Sequence, residues 1–277
     1  MRNKIQSALL KTIVYLSIAL TICALIFILG YILVKGIPHI SIDMFALEYN
    51  SENCSVFPAI INTITMTLFS LLIAVPLGVF SAIYLVEYAK RGNKFVNVIR
   101  TTTETLSGIP SIVYGLFGYL MFVIYLGWGY SLLAGAFTLA IMILPVVMRT
   151  TEEALKAIPD SCREGSFGLG AGKLRTVFKI VLPSAIPGIL AGVVLSVGRI
   201  VGETTALIYT AGTVAQIPNG VTGSGRTLSI HMYALWNEGL AQEKAYATAV
   251  VLLVVVVGLN ALSAFIARRI TKGRNNG

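Results

Sequence analysis

The chain is long but poor in charge: it has 277 residues, of which 56% are hydrophobic and 12% are charged, with a mean hydropathy of +0.82. A soluble domain carries about 25% charged residues. This composition excludes a disordered chain, a disulfide scaffold and an ordinary cytosolic enzyme. The charges also cluster, leaving long uncharged runs between them. The sequence therefore predicts an integral membrane protein.

Uncharged runs locate the membrane spans, because a charged side chain at the bilayer centre costs about 3 kcal/mol or more. A helix needs about 20 residues to cross the hydrocarbon core. The runs are Thr12–Val34, Asn53–Val86, Thr105–Met148, Pro183–Ala211 (which Arg199 and Glu203 interrupt) and Ala245–Ala267. The third run is long enough for two spans, separated by a turn at 127–130. The prediction is an all-α protein with six transmembrane helices.

Basic residues set the orientation, since cytoplasmic loops carry an excess of Lys and Arg. Of the 21 basic residues, 17 fall on one side: in the N-terminus, in 90–100, in 149–179 and in the C-terminal tail. Both termini are therefore expected in the cytoplasm. The predicted organisation is a cytoplasmic N-terminus (1–11), a membrane domain (12–268) and a cytoplasmic tail (269–277). The uncharged stretch after Lys11 exceeds a signal-peptide core, so it is expected to remain as the first helix.

Other patterns point away from nucleic-acid binding, metal binding and ATP hydrolysis. The net charge of +9 fits contact with anionic membrane lipid, because no aromatic–basic interleaving accompanies it. The three cysteines are expected to be structural, and neither His39 nor His231 has ligand spacing. The segment 168–174 lacks the first glycine and the Ser/Thr of a phosphate loop. No catalytic residues are expected, so the chain is interpreted as a transport subunit.

The cytoplasmic segment 149–183 carries the most specific pattern. A short helix, a glycine turn and a second helix, with a proline starting the next span, fit its residues. It resembles the coupling loop of ABC importer permeases, which reads Glu-Ala-Ala, three residues, Gly, nine residues, Ile-x-Leu-Pro. The matching positions are Glu164, Gly170, Ile180, Leu182 and Pro183. Gly165 and Ser166 replace the two alanines, and both remain small.

A charge pair is expected inside the fifth span. Arg199 and Glu203 are four residues apart, which would place both side chains on one helical face, with the carboxylate neutralising the guanidinium. Arginine offers a planar fork of donors suited to tetrahedral oxyanions. One interpretation is that the pair lines a transport pathway; the alternative is a structural ion pair that locks this helix to a neighbour. Glycine pairs at 188/192 and 198/202 predict close helix contacts nearby.

Two further segments make the resemblance more specific within the ABC importer permeases. Arg-x-x-Gly-Glu-Thr (199–204) in the fifth span is typical of the phosphate-specific ABC permeases, as is Ser-Gly-Ile-Pro-Ser-Ile-Val-Tyr-Gly-Leu-Phe-Gly (107–118) entering the third. The runs 204–211 and 228–233 are more similar to the A-type than to the C-type subunits. The resemblance covers about residues 55–268 and implies the architecture of a type I ABC importer permease in the cell membrane.

The resemblance also implies partners and roles. A second, C-type phosphate permease subunit would pair with this chain, a dimer of ATP-binding subunits would dock on the coupling loop, and an extracytoplasmic phosphate-binding protein would deliver substrate. ATP and magnesium would be bound by the ATP-binding subunits, with no cofactor in this chain. Arg199 and Glu203 would lie on the substrate pathway. The alternatives are a permease for another oxyanion, such as sulfate or molybdate, and a secondary transporter.

Overall fold

A computed structural model describes residues 2–90, 92–239 and 241–275, and this part of the chain is nearly all helical, without a strand. The predictions that place Arg91 and residues 276–277 in the cytoplasm concern residues outside this part. The helices are α1 Arg2–Gly36, α2 Phe57–Ile83, α3 Lys94–Ser107, α4 Ser111–Gly118, α5 Leu132–Lys156, α6 Asp160–Gly168, α7 Lys173–Thr176, α8 Leu182–Val201, α9 Thr205–Thr210, α10 Leu228–Asn237 and α11 Gln242–Asn275. Segments of π-helix extend α2 (Tyr84–Tyr88) and α4 (Tyr119–Tyr125) and join α7 to α8 (Val177–Val181).

Five of the predicted spans are confirmed as long apolar helices, namely Leu9–His39, Phe57–Tyr88, Leu132–Lys156, Lys173–Val201 and Gln242–Ile266. The expected third span differs, because helix 94–107 and helix 111–125 meet at an angle of 104°. Pro110 explains the break, since the residue before a proline is driven out of the helical region. The six-span count therefore holds when this bent pair is counted as one span. The turn predicted at 127–130 is confirmed, lying between Tyr125 and Leu132.

The chain ends lie on the same side of the molecule. Gly36, at the end of α1, packs directly against the backbone of Tyr246, in the first turns of α11. The two long helices are therefore antiparallel, and the start of α1 lies on the same side as the end of α11. This arrangement agrees with the predicted common location of both termini. The exact boundaries 1–11, 12–268 and 269–277 stay predictions.

Helix α5 forms the centre of the bundle. It packs between α2 and α8, and 67% of its most apolar window is buried, against none of the corresponding window of α1. The largest buried cluster is built around its side chains Leu139, Met142 and Ile143, with Met66 from α2 and Leu207 from α9. Because α1 contributes nothing to this core, its apolar surface is left for lipid or for a partner chain.

Small residues bring α8 close to α5. A side chain at Gly188 would collide with Ala154, and one at Gly192 would overlap the Thr150 hydroxyl, so the close contact predicted for this glycine pair is confirmed. The prediction for Gly198 and Gly202 is wrong for this chain. The nearest atom to a Cβ at Gly198 would be Asn260 Nδ2, at 3.9 Å, and at Gly202 only the preceding turn of its own helix is in reach.

The segment 149–183 folds as two helices joined by a turn, as predicted, but the second helix continues into the fifth span without a break. The continuous helix runs from Lys173 to Val201, so the span begins ten residues earlier than expected and Pro183 does not start it. The π-helical turn 177–181 directly precedes this proline. Such a turn changes the local hydrogen-bond register and so accommodates a residue that has no N–H.

Replacement of Gly118 by alanine is predicted to destabilise the bundle. A Cβ at this position would overlap Thr138 Oγ1 and would lie 2.8 Å from Thr210 Cγ2, and overpacking of this kind costs about 1–3 kcal/mol. Gly258→Ala is the matched control, because a Cβ there meets nothing within 4 Å. Thermal unfolding of the detergent-solubilised protein should show a lower midpoint for Gly118→Ala only. Equal midpoints in the two variants would contradict this packing.

Candidate functional site

The predicted charge pair lies at a break in the fifth span. Helix α8 ends at Val201, α9 begins at Thr205, and Glu203 falls in the non-helical connection. The expected ion pair between Arg199 and Glu203 is therefore wrong: the helix that would have stacked the two side chains does not reach Glu203. No such pair lies within 4.0 Å among the described residues.

Glu203 instead stabilises the connection between α8 and α9 through hydrogen bonds. Its Oε1 accepts a hydrogen bond of 3.0 Å from the Ala206 N–H, and its carbonyl oxygen accepts one of 2.6 Å from Ser229 Oγ. The first amides of a helix lack acceptors within the helix, and the carboxylate supplies one to α9. The residue is buried, with 9% of its surface exposed. Its observed role is to hold two short helices, α9 and α10, at the end of α8.

Arg199 is half-buried in the last turn of α8, within electrostatic range of the Tyr114 side chain on α4. Within the described chain, no carboxylate approaches its guanidinium closely enough to form an ion pair. Its position at a helix C-terminus is electrostatically favourable for a cation. A guanidinium whose donors have no anionic partner is able to bind a tetrahedral oxyanion through two parallel N–H groups.

The motif 107–118 forms the wall opposite the break. A Cβ at Gly115 would lie 2.8 Å from the Ala206 Cα, so α4 touches the backbone of α9 directly. The Tyr114 hydroxyl donates to the Leu106 carbonyl across the bend, at 2.7 Å. These contacts explain Gly115 and Tyr114 of the motif in physical terms. The electrostatic contact of Arg199 with Tyr114, and the apolar cluster that Tyr114 shares with Ile200, bring the segments 107–118 and 199–204 together, although 80 residues or more separate them in sequence.

The coupling-loop residues divide into an exposed set and an anchored set. Glu164 and Gly165 are exposed on α6, and a Cβ at Gly165 would meet nothing within 4 Å. Ser166 is buried, and its Oγ lies 2.8 Å from Thr176 Oγ1, which ties α6 to α7. Gly170 has φ +79 in the turn between them, a conformation that favours glycine. The anchored set continues into the next helix with the half-buried residues Ile180, Leu182 and Pro183.

Arg163 was missed by the sequence analysis and makes the strongest contacts of the loop. Its Nη2 and Nε lie 2.7 and 3.2 Å from Glu87 Oε1, at the end of α2, in a pair whose side chains are 14% and 8% exposed. Nη2 also donates to the Leu155 carbonyl and Nη1 to the Ile158 carbonyl, at 3.0 and 2.8 Å. Nη1 contacts Asp160 Oδ1 as well, at 3.2 Å. One side chain therefore joins the coupling helix α6 to the ends of α2 and α5.

A second buried cation lies in the segment between α9 and α10. Arg226 is 4% exposed and its guanidinium stacks on the Tyr49 ring, with 4.5 Å from Cζ to the ring centroid. Burial, and then the charge of Arg226, lower the pKa of His231 to about 3. His231 is therefore neutral at pH 7, and its Nε2–H donates to the Cys54 carbonyl at 3.2 Å. This cluster is structural and uses the histidine as a donor.

Comparison with known proteins supports the family suggested by these segments. A family model described as "Binding-protein-dependent transport system inner membrane component" matches residues 74–272. The probable ABC transporter permease protein YqgI of Bacillus subtilis is 32% identical over 98% of each chain. The phosphate transport system permease protein PstA of Pasteurella multocida is 39% identical over 76% of this chain and 75% of its own, and PstA of Mycobacterium leprae is 35% identical over 79% and 73%.

Solved structures show the same fold. A chain of a bacterial alginate ABC transporter, in complex with its alginate-bound periplasmic protein, superposes with a TM-score of 0.68 at 18% identity, covering 93% of this chain and 96% of its own. A chain of the MetNI methionine ABC transporter in an inward-facing conformation superposes with a TM-score of 0.60 at 22% identity, covering 78% and 94%. At these identities the likeness concerns the fold alone.

Replacement of Arg163 by glutamine is predicted to loosen the coupling helix. Removing one partner of a buried ion pair costs about 3–5 kcal/mol, because the other charge is left uncompensated. Amide hydrogen exchange should therefore rise across 160–168. Arg149→Gln is the matched control, since its pair with Glu153 is 60% and 64% exposed and contributes about 1 kcal/mol or less. Identical exchange in the two variants would show that Arg163 does not hold the helix.

Proposed function

The chain belongs to the family of binding-protein-dependent transport system inner membrane components and has the fold of type I ABC importer permeases, and we propose that within this family it is a subunit of an ATP-driven phosphate importer. As a permease subunit it is a multi-pass membrane protein. Together with a second, C-type permease subunit it would form the path for inorganic phosphate released by an extracytoplasmic binding protein.

The similarity to PstA proteins supports phosphate as the substrate. Several of these proteins are 32–39% identical to this chain over three-quarters of its length or more. The two segments typical of phosphate permeases, 107–118 and 199–204, also meet in space at the break between α8 and α9. This meeting is the single observation that carries the proposal.

Arg199 is proposed to contact phosphate in transit. Its guanidinium is half-buried and lacks an anionic partner among the described residues, so a passing oxyanion would supply the missing charge. Glu203 is proposed to shape the pathway by fixing α9 beside α4, because its carboxylate is engaged at the Ala206 N–H. A carboxylate close to the bound anion would in addition limit the affinity, which favours release.

The coupling loop is proposed to dock on a dimer of ATP-binding subunits, which would bind ATP and magnesium. Helix α6 presents an uncovered surface with Glu164 and Gly165 exposed, and the turn that follows it exposes 91% of Leu169. An apolar side chain so exposed on the cytoplasmic side is suited to a protein partner. Closure of the ATP-binding subunits would move α6, and Arg163 would pass the movement to α2 and α5, so that the path alternates between the two sides.

Two rival functions differ in their support. A permease for another oxyanion, such as sulfate or molybdate, would use the same coupling loop and is opposed by the segments 107–118 and 199–204. The YqgI relative, whose name specifies no substrate, is compatible with either. A secondary transporter would need no ATP-binding subunit, and the family membership of the chain does not favour it.

ATP-dependent uptake of radiolabelled phosphate by vesicles that contain the assembled complex tests the proposal. Arg199→Gln should lower the uptake rate at least about tenfold, because a charge-assisted hydrogen bond contributes about 1.5–3 kcal/mol. Arg149→Gln, which removes an exposed charge, should leave the rate unchanged. Excess sulfate or molybdate should not compete.

The outcomes distinguish the role of Arg199 from the identity of the transported substrate. Copurification of the partner subunits with each variant shows that the complex has assembled. Normal uptake by an assembled Arg199→Gln complex would contradict the role of this residue and leave the substrate standing. Transport of sulfate or molybdate without phosphate uptake would overturn the substrate itself.

A further inference from the structure

A basic cavity of about 460 Å³ lies beside the coupling helix. Its walls come from the end of α2 with the loop that follows, the first two turns of α3, the end of α5 and the first turn of α6. The charged residues that line it are Glu87, Lys90, Arg100, Lys156, Asp160 and Arg163. Four elements therefore form the walls of the cavity. An ATP-driven motion that changes the distances between these elements would change the shape of the cavity.

Three of the cations that line the cavity are poorly compensated. Lys90 forms no ion pair within the described ranges. Arg100 and Lys156 share a single carboxylate oxygen, Glu152 Oε1, at 2.7 and 2.6 Å. These three cations, which come from three different elements, thus have one carboxylate between them. Arg163 is balanced, because it engages both Glu87 and Asp160.

The shared contact is poorly aligned on the Arg100 side. Arg100 Nε is inaccessible to solvent and lies 2.7 Å from Glu152 Oε1, but its N–H does not point at that oxygen. Asn93 and Asn97 line the same cavity and carry side-chain amide donors. An anion with several acceptor oxygens would accept from Lys90 and from these amides, and it would compensate the excess charge.

We propose that this cavity binds a phosphate group, supplied either by the headgroup of an anionic phospholipid or by inorganic phosphate in the cytoplasm. Its tetrahedral oxygens can accept from donors that α3, α5 and the loop after α2 contribute to the cavity. A headgroup is one source, since Phe95 and Val98, the sequence neighbours of the lining residues 96 and 97, expose 64% and 61% of their surface, as in an interfacial helix. The site does not depend on which substrate the transporter carries.

Occupancy of the cavity would affect the coupling helix. The bound group would bridge Lys90 and Arg100, on the α3 side, to Lys156, four residues before α6 begins. A change in the distance between α3 and α6, which Arg163 joins to α2 and α5, would then cost more free energy. The phosphate group is therefore expected to stabilise one arrangement of the cytoplasmic end of the bundle.

Thermal unfolding of the assembled complex in lipid nanodiscs tests the site. One arm titrates inorganic phosphate into phosphatidylcholine nanodiscs at constant ionic strength; the other replaces part of the phosphatidylcholine by phosphatidylglycerol without phosphate. The cavity variant is Lys90→Gln with Lys156→Gln. The matched control is Lys11→Gln with Lys35→Gln, which removes two exposed charges from α1. Lys90→Gln alone serves as a milder variant, because this exposed side chain has no ion pair to lose.

The wild-type complex should gain stability in at least one arm, with an apparent affinity about tenfold weaker in the cavity variant and unchanged in the control. A gain in the phosphatidylglycerol arm alone assigns the ligand to the headgroup, and a gain with phosphate alone assigns it to the free ion. The proposal is overturned if neither arm stabilises the complex or if both double variants respond alike. It is also overturned if the phosphate response survives in the cavity variant and disappears in Arg199→Gln.

Discussion

Arg163 makes α6, the proposed coupling helix, part of the membrane bundle. Its five donors are distributed over Glu87 at the end of α2, the carbonyls of Leu155 in the last turn of α5 and of Ile158 just after it, and Asp160 in its own helix. A flexible loop would absorb a push from a partner subunit, whereas a helix held in this way transmits it. The buried Ser166–Thr176 contact extends the same connection to the start of the fifth span. The mechanism proposed for transport depends on this rigidity.

The second constraint is the break between α8 and α9. A broken helix within an apolar bundle leaves backbone groups that must find partners in the protein. Here the Glu203 carboxylate and the Ser229 hydroxyl supply them, and Gly115 lets α4 close over the broken end. Because the break carries Glu203 out of helical register with Arg199, the guanidinium has no counter-charge among the described residues. The break thus explains both the missing ion pair and the availability of the guanidinium for an anion.

The sequence predicted the features that follow from local composition. The long uncharged runs predicted the five long apolar helices, and the glycines at 188 and 192 predicted the close contact of α8 with α5. The bend at Pro110 was not predicted, because hydropathy carries no information on the direction of a helix. The second loop helix was predicted, but its continuation from Lys173 into the fifth span was not, because Pro183 suggested a separate start. The prediction of an ion pair between Arg199 and Glu203 was wrong because it assumed that one continuous helix carries both residues. Arg163 could not be recognised, since its partner Glu87 is 76 residues away.

One distance tests most directly whether the coupling helix moves with α2 as a single body. The exposed Cys162 on α6 and a cysteine at the exposed Leu68 on α2 can carry spin labels, with Cys23 and Cys54 replaced by serine. Leu68 lies about 28 Å along its helix from Glu87 at 1.5 Å per residue, a separation suited to pulsed dipolar spectroscopy. The distance should be the same in nucleotide-free and ATP-trapped complexes. A shift of several ångströms between the two states would contradict the rigid linkage.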